Sequence, residues 1–439
     1  MSSYQIRKTP GDTAWFRHDR FGMFIHWGFY TMLGHGEWIK NLQMIPDEVY
    51  DRSMEFFDPD LYDAREWAKK AKAAGMKYAV LTAKHHDGFC MFDSAYTDYK
   101  CTNTPAGRDL VREYAEAFRA EGLKVGLYYS LLDWHHPDFP IDFYHPRKND
   151  ADAEEQNKTR NMRVYAEYMR SQVTELLTNY GKIDILWFDF SYPNTVDASK
   201  PWIRGKGAVD WESDKLIALC RRLQPGIMIN NRAGIEQDLW TPEQFQPESW
   251  LTHRETGELV TWEACQTITK HWAYYSDEYT WKDPAMLIGL LVRNVSLGGN
   301  LLMNVSPNAR GDIDEKTLDC LDVYAKWMRL HGRSIYGCTM AEKELLESCP
   351  ENCRFTQSED GRRLYVHLFS FPFAHLRLKG MAGKVRYAQF LHDNSIIKMS
   401  EGKMEHLGDG GEVAANDLIL DMPVRKPEVV IPVIELFLK

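Results

Sequence analysis

Short apolar runs alternate with longer amphipathic stretches over the first three-quarters of the chain, the pattern of parallel strands joined by helices. FGMFIH ending at His26, KYAVLTAK ending near Lys84, KVGLYYS ending at Ser130, IDILWFDF around Asp189, GIMIN ending at Asn230 and NLLMNV ending at Val305 read as buried strands. Between them, residues 64–75 and 109–122 carry a helical period and stop at Gly75 and Gly122, as helix C-caps do. Further helices are predicted over 153–180, 211–223, 284–297 and 314–332. The stretches 31–60 and 236–282, rich in Trp, Glu, Pro and His, read as long loops. After about residue 336 the runs shorten to alternations such as RLYVHLFSF, KVRYAQFL and VVIPVIELFLK, with no helical period.

Polar residues fall where most of the apolar runs end: His26, His85–His86–Asp87, Ser130 with Asp133, Asp189, and Asn231–Arg232. A (β/α)8 barrel assembles its site from the carboxyl ends of several strands, whereas an open doubly wound sheet gathers ligand groups at one switch point. The fold predicted is therefore a (β/α)8-like, TIM-type barrel over residues 1–337, with a small C-terminal antiparallel β-sandwich domain over 338–439. Six of the eight barrel strands are legible; two are not.

Length and charge narrow the function. With 439 residues, 44% of them hydrophobic, the chain can bury a large core. Its 53 basic and 63 acidic side chains leave a net charge of −10, which repels polyanions, so a nucleic-acid partner is not expected. No apolar run reaches the roughly 18–20 residues of a membrane span, and the start MSSYQIRKTPGDTAWFRHDR has no apolar signal segment, so a cytoplasmic protein is expected. Eight dispersed cysteines agree with a reducing compartment; Cys349 and Cys353 lack zinc-site spacing. The sequence leaves a homo-oligomer open.

Asp189 stands at the end of an otherwise apolar strand, where a carboxylate must be solvated, paired or functional. Trp187 shares its side of the strand, and an aromatic beside a carboxylate suits a sugar ring. Tryptophans crowd the proposed loops at Trp38, Trp134, Trp240, Trp250, Trp262 and Trp272, which also favours carbohydrate. His85 and His86, adjacent on a strand, are expected on opposite faces; with His26 they suit hydrogen bonding to hydroxyls better than metal ligation, and no metal or other cofactor is expected. LGGN at 297–300 precedes a strand instead of a helix, and no Gly-x-Ser-x-Gly elbow occurs.

RFGMFIHWG, GEW at 36–38, AKHHDGF at 83–89, GLYYSLLDW at 126–134, LWFDF, NNR at 230–232, TPEQ at 241–244, WEAC at 262–265 and GGNLLMNVSP at 298–307 together resemble the retaining α-L-fucosidases of glycoside hydrolase family 29. The resemblance spans roughly residues 10–345. It implies a metal-independent exo-glycosidase acting on fucosylated glycans, with Asp189 as nucleophile and with His26, Glu37, Trp38, His85, His86, Tyr128, Trp187 and Arg232 around the fucose. Tyr128 is chosen over Tyr129 because it shares strand parity with Ser130. Glu243 is the first choice for the acid/base and Glu263, in WEAC, the second. Trp272-Ala273-Tyr274 departs from the family's usual Trp-Gly-Tyr, which puts the aglycone side of the site apart from the pattern. The competing readings are a metal-dependent barrel hydrolase built on His26, His85 and His86, and a catalytically silent fucose-binding barrel.

Overall fold

In the computed structural model of the protein, which describes residues 4–402 and 414–439, seven parallel strands form one curled sheet: β1 Phe21–Ile25, β2 Tyr78–Lys84, β3 Lys124–Ser130, β4 Ile185–Asp189, β5 Met228–Ile229, β6 Glu263–Thr267 and β7 Asn300–Val305. Their order across the sheet is β5-β4-β3-β2-β1-β7-β6. Nearly every residue in them is buried, as expected of parallel strands with side chains inside the barrel and helices outside. Gly22 allows a close approach there: a Cβ at this position would lie 2.3 Å from the Tyr78 ring. The helices Ala64–Ala73, Leu110–Ala120, Met162–Asn179, Ser213–Leu223, Pro284–Ser296 and Glu315–His331 cover the outside.

The gap between β5 and β6 is closed by an irregular segment. Leu239 bridges Asn230, Trp240 bridges Trp262 and Glu243 bridges Cys265. Its ladder includes Trp240 N to Thr261 O, Glu263 N to Trp240 O and Cys265 N to Pro242 O. Pro242 has no N–H to offer, and Gln244 turns away at φ 49°, so the segment pairs without becoming a regular strand.

Two sequence expectations need correction here. The stretch 236–282 is not all loop: it holds β6 and the closing segment, the two barrel elements that periodicity missed. EACQT mixes polar and small residues because its side chains face a polar site, so it lacks the apolar run that marks the other strands. The helix expected over 153–180 is two helices, Ala153–Asn157 and Met162–Asn179, the second capped by the Asn161 side chain accepting from Arg163 N.

Beyond the barrel, the strands Cys338–Met340, Cys353–Ser358, Arg363–Leu368, Val385–Phe390 and Val433–Leu438 form a five-stranded sheet, and His375–Leu378, Met399–Glu401 and Leu418–Asp421 a three-stranded one. The strand pairs with recorded registers in both are antiparallel. They share a separate apolar core that includes Leu364, Val366, Leu418, Leu420, Ile434 and Leu436. The sheets dock on the barrel through Trp327 Nε1, which donates to Val430 O at 2.8 Å, and Arg20 Nε, which donates to Cys338 O at 2.8 Å.

Candidate active site

The carboxyl ends of the strands meet around a pocket of about 90 Å³. His26 follows β1, with Glu37 and Trp38 in the next loop; His85 and His86 follow β2; Tyr128 lies on β3, Trp187 and Asp189 on β4; Arg232 follows β5, and Glu243 stands on the closing segment. All ten side chains line the same pocket. A roomier depression of about 600 Å³, between helices 64–73 and 110–120, holds paired surface charges such as Arg108–Glu113 and none of these residues.

Asp189 is tied down on both oxygens. Arg232 Nη1 donates to Oδ1 at 2.9 Å and the Tyr128 hydroxyl donates to Oδ2 at 2.8 Å. The same Arg232 nitrogen donates to Glu243 Oε2 at 2.7 Å. Because one nitrogen holds Asp189 Oδ1 at 2.9 Å and Glu243 Oε2 at 2.7 Å, these two oxygens are at most about 5.6 Å apart. The carboxylates differ in their access to water, with 14% of the Asp189 side chain exposed and 38% of the Glu243 side chain. Burial opposes the Arg232 charge, but Asp189, Cys265 and Glu243 outweigh it and raise the guanidinium's pKa. Arg232 also lies 4.5 Å from the Trp187 ring centre. Burial, then the Asp189 charge, pushes the Tyr128 phenol well above its ordinary value, so it remains a donor.

The histidines are buried and kept neutral. Burial lowers His26 to about 3 despite its 2.7 Å contact from Nδ1 to Asn304 Oδ1. Burial likewise lowers His85 and His86. His86 Nδ1 lies 2.6 Å from Ser130 Oγ, whereas His85 Nδ1 is buried without a partner. The expectation that His85 and His86 face opposite ways is corrected: β2 ends at Lys84, and the turn after it brings both rings to the pocket with centres 4.0 Å apart. Among the described residues no group of three or more His, Cys, Asp and Glu side chains is arranged to hold a metal ion. Glu37 Oε2 accepts from Ala273 N at 3.1 Å, and burial raises its pKa. Trp38 packs edge-on to His86 at 4.9 Å.

Glu263 is placed elsewhere. It lies on β6, fully buried and outside the pocket lining, with Oε1 accepting from Trp187 Nε1 at 3.1 Å and Oε2 from the Tyr78 hydroxyl at 2.8 Å. Burial raises its pKa to about 7, a value that suits a general acid, but a proton donor must first be within reach of the leaving group. The structure does not bring it there.

Several pocket residues were not singled out from sequence. Phe190 holds the left-handed conformation at φ 83° and packs its ring on His86 at 4.8 Å and Trp38 at 5.3 Å; a bulky residue at positive φ is rare and marks an over-determined site. Cys265 and Tyr192 complete the wall, and Trp272 lies 4.9 Å from His26. Asn304 orients His26. Of these, Trp272 had a signal as one of the loop tryptophans, and Phe190, Cys265 and Asn304 lie within the motifs LWFDF, WEAC and GGNLLMNVSP.

A family model described as Alpha-L-fucosidase matches residues 2–333. The plasma alpha-L-fucosidase of Homo sapiens is 30% identical over 372 residues, 76% of this chain and 70% of that protein. Alpha-L-fucosidase isoenzyme 1 from Paenibacillus thiaminolyticus superposes with a TM-score of 0.88 at 43% identity, over 97% of this chain and 98% of the other. A GH29 alpha-L-fucosidase from Bacteroides thetaiotaomicron, solved as a trapped covalent intermediate in complex with 2-fluoro-fucosyl fluoride, superposes with a TM-score of 0.79 at 27% identity, over 100% and 98% of the two chains.

Proposed function

Because the chain belongs to the alpha-L-fucosidase family, glycoside hydrolase family 29, we propose that it removes terminal α-L-fucose from fucosylated glycans by double displacement, with Asp189 as nucleophile and Glu243 as acid/base. The observation that carries this reading is the shared Arg232 nitrogen, which holds one oxygen of each carboxylate at most about 5.6 Å from the other. Retaining glycosidases separate theirs by about 5–5.5 Å, whereas inverting ones leave about 6.5–9.5 Å for a water. The Bacteroides relative trapped as a covalent intermediate supports the same course.

In this mechanism Asp189 attacks the anomeric carbon while Glu243 protonates the departing glycosidic oxygen. The Asp189 oxygen gains the C1 bond as the leaving group takes the bonding pair and the proton. Water then enters from the Glu243 side, gives Glu243 its proton and displaces Asp189, so fucose leaves with its configuration retained. Arg232 and Tyr128 orient the nucleophile. Neutral His26, His85 and His86, with Glu37, bind the sugar hydroxyls. The rings of Trp38, Phe190 and Trp272 suit the apolar edge of a 6-deoxy sugar, whose methyl cannot satisfy polar partners.

No helix among the described residues is long and apolar enough to cross a membrane. All eight cysteines are free, which supports a reducing, cytoplasmic setting, and the separate core of the C-terminal sheets supports a division near residue 337.

The test is incubation with 2-fluoro-fucosyl fluoride followed by peptide mass spectrometry, beside 4-nitrophenyl α-L-fucoside turnover. A fucosyl adduct on Asp189 and loss of turnover are expected. An adduct on another residue would reassign the nucleophile. Fucose binding without any turnover would make the protein a silent binding barrel.

A further inference from the structure

Glu263 stands two residues before Cys265 on β6, so it faces the same way and lies about 6.6 Å deeper at a rise of about 3.3 Å per residue. It forms part of the floor on which the site rests. Above it, the Trp187 indole that it holds by Nε1 carries the Arg232 guanidinium 4.5 Å over its ring and stacks on Tyr128 at 5.7 Å and 21°. Arg232 and Tyr128 are the two groups that bond Asp189. Below it, the Tyr78 hydroxyl that donates to Oε2 is 3.4 Å from Asn300 Nδ2, which donates to Phe16 O at 2.8 Å. The carboxyl group is thus pinned between a fixed lower layer and the indole.

We propose that Glu263 is a positioning residue for the glycosidase reaction: its hydrogen bond to Trp187 fixes the indole plane and, through that plane, the angle at which Arg232 and Tyr128 hold Asp189. An apolar side chain here would leave the indole N–H and the Tyr78 O–H without their acceptor in the barrel interior and free the indole to tilt. A tilt that shifts a reacting group by about 1 Å costs on the order of 100-fold in rate. The inference rests on the fucosidase reading above and adds a residue that acts without touching the substrate.

The experiment compares the wild type with Glu263→Gln, Glu263→Leu and Tyr78→Phe on 4-nitrophenyl and benzyl α-L-fucosides, with and without azide, beside thermal melting. Glu263→Gln keeps an acceptor for Trp187 Nε1 and stays within about 3-fold of the wild type on both substrates. Glu263→Leu loses about 100-fold in kcat on both alike, with KM raised no more than about tenfold and no response to azide. A loss in Glu263→Gln concentrated on the benzyl substrate and restored by azide overturns the proposal, because Glu263 is then the acid/base. A folded Glu263→Leu with wild-type kcat overturns it as well. If Glu263→Leu does not melt cooperatively, Tyr78→Phe decides: a loss of about 5- to 10-fold on both substrates is expected from one missing hydrogen bond, and unchanged kcat overturns it. Failure of the wild type to cleave either substrate refutes the fucosidase reading instead. L-fucose affinity by calorimetry then decides for Glu263: a fall of about tenfold in the Leu or Tyr78→Phe variant is expected, and an unchanged affinity overturns the positioning role.

Discussion

Lys84→Met tests whether the turn that carries His85 and His86 is held by a buried charge. Lys84 Nζ is fully buried at 2.9 Å from Asp133 Oδ2, whose side chain is 2% exposed. The ammonium also lies 3.3 Å from the Tyr165 hydroxyl and 4.6 Å over the Tyr129 ring. Asp133 Oδ1 accepts from the backbone N–H groups of His135 and His136, and Trp134 N donates to His86 O. The pair therefore couples the loop after β3 to the turn after β2. Gly88 confirms how tight the contact is, since a Cβ there, at φ 82°, would lie 2.2 Å from Asp133 Oδ1.

Methionine fills the lysine volume but leaves Asp133 buried without its cation, a loss of about 3–5 kcal/mol. At roughly 2.1 cal/mol/K of unfolding entropy per residue, a chain of this length unfolding as one unit loses about 3–6 °C in Tm. The sign with pH follows from Asp133. Burial raises its pKa, but the Lys84 charge and hydrogen bond, together with His136 and His135, outweigh burial and hold it below the ordinary 3.8. Its contribution is present above the unfolded pKa and is lost as pH falls through the lower folded value. With Lys84 gone, burial raises the Asp133 pKa in the variant, which takes up a proton and recovers stability on acidification, so the gap in Tm between wild type and Lys84→Met is widest at neutral pH and narrows toward pH 4. Adding Asp133→Asn, which keeps an oxygen for the backbone donors, restores part of the loss in a double-mutant cycle. Calorimetric scans at pH 7 and pH 4, with kcat/KM on 4-nitrophenyl α-L-fucoside, provide the assay; about a tenfold drop in kcat/KM is expected from the displaced histidines. A Tm change under about 1 °C at pH 7, or a gap that does not narrow with acid, would refute the reasoning.

Asp189→Asn should lower turnover by at least about 10⁴-fold while leaving the thermal transition in place; retained turnover in steady-state assays removes Asp189 as nucleophile. Glu243→Ala should cost about 10²–10⁴-fold on benzyl α-L-fucoside and far less on the 4-nitrophenyl substrate, with a fucosyl azide product when azide is added, since the Glu243 side faces water; product analysis without that azide ends the assignment. At the junction of barrel and C-terminal sheets, burial lowers His331 to about 4 and His367 to about 3. Both folded values lie below the unfolded 6.5, so their contribution is complete above pH 6.5 and declines as pH falls toward 4; His331→Phe should flatten the slope of Tm between pH 7 and 5, and an unchanged slope counts against it.

The parts of the fold legible in the sequence are those where one physical requirement dominates a run of residues. β1, β2, β3, β4 and β7 show as apolar runs because both faces of a parallel strand are buried. The helices 64–73 and 110–120 show because one face alone is buried and a glycine ends each. β6 escaped because Glu263 and Thr267 make its interior face polar, and the segment 239–243 escaped because Pro242 breaks its ladder. The positions of Asp189, His26 and Arg232 at strand ends were legible for the same reason as the strands: a polar group closing an apolar run must meet water, a partner or a ligand.

The sequence by itself determined the barrel, the antiparallel appendage, and the family motifs with their order along the chain. The tertiary structure decided which polar residues share a pocket. Glu243 and Glu263 are 20 positions apart, each within three residues of a tryptophan, and periodicity alone does not distinguish them. Their positions separate only when the closing segment places Glu243 across from Cys265 at the rim and β6 carries Glu263 to the floor beneath Trp187. The turn that gathers His85 with His86, the positive φ of Phe190 and the guanidinium shared by Asp189 and Glu243 likewise arise from contacts between distant segments. Local periodicity reports which face of an element is buried; it holds no record of what that face meets.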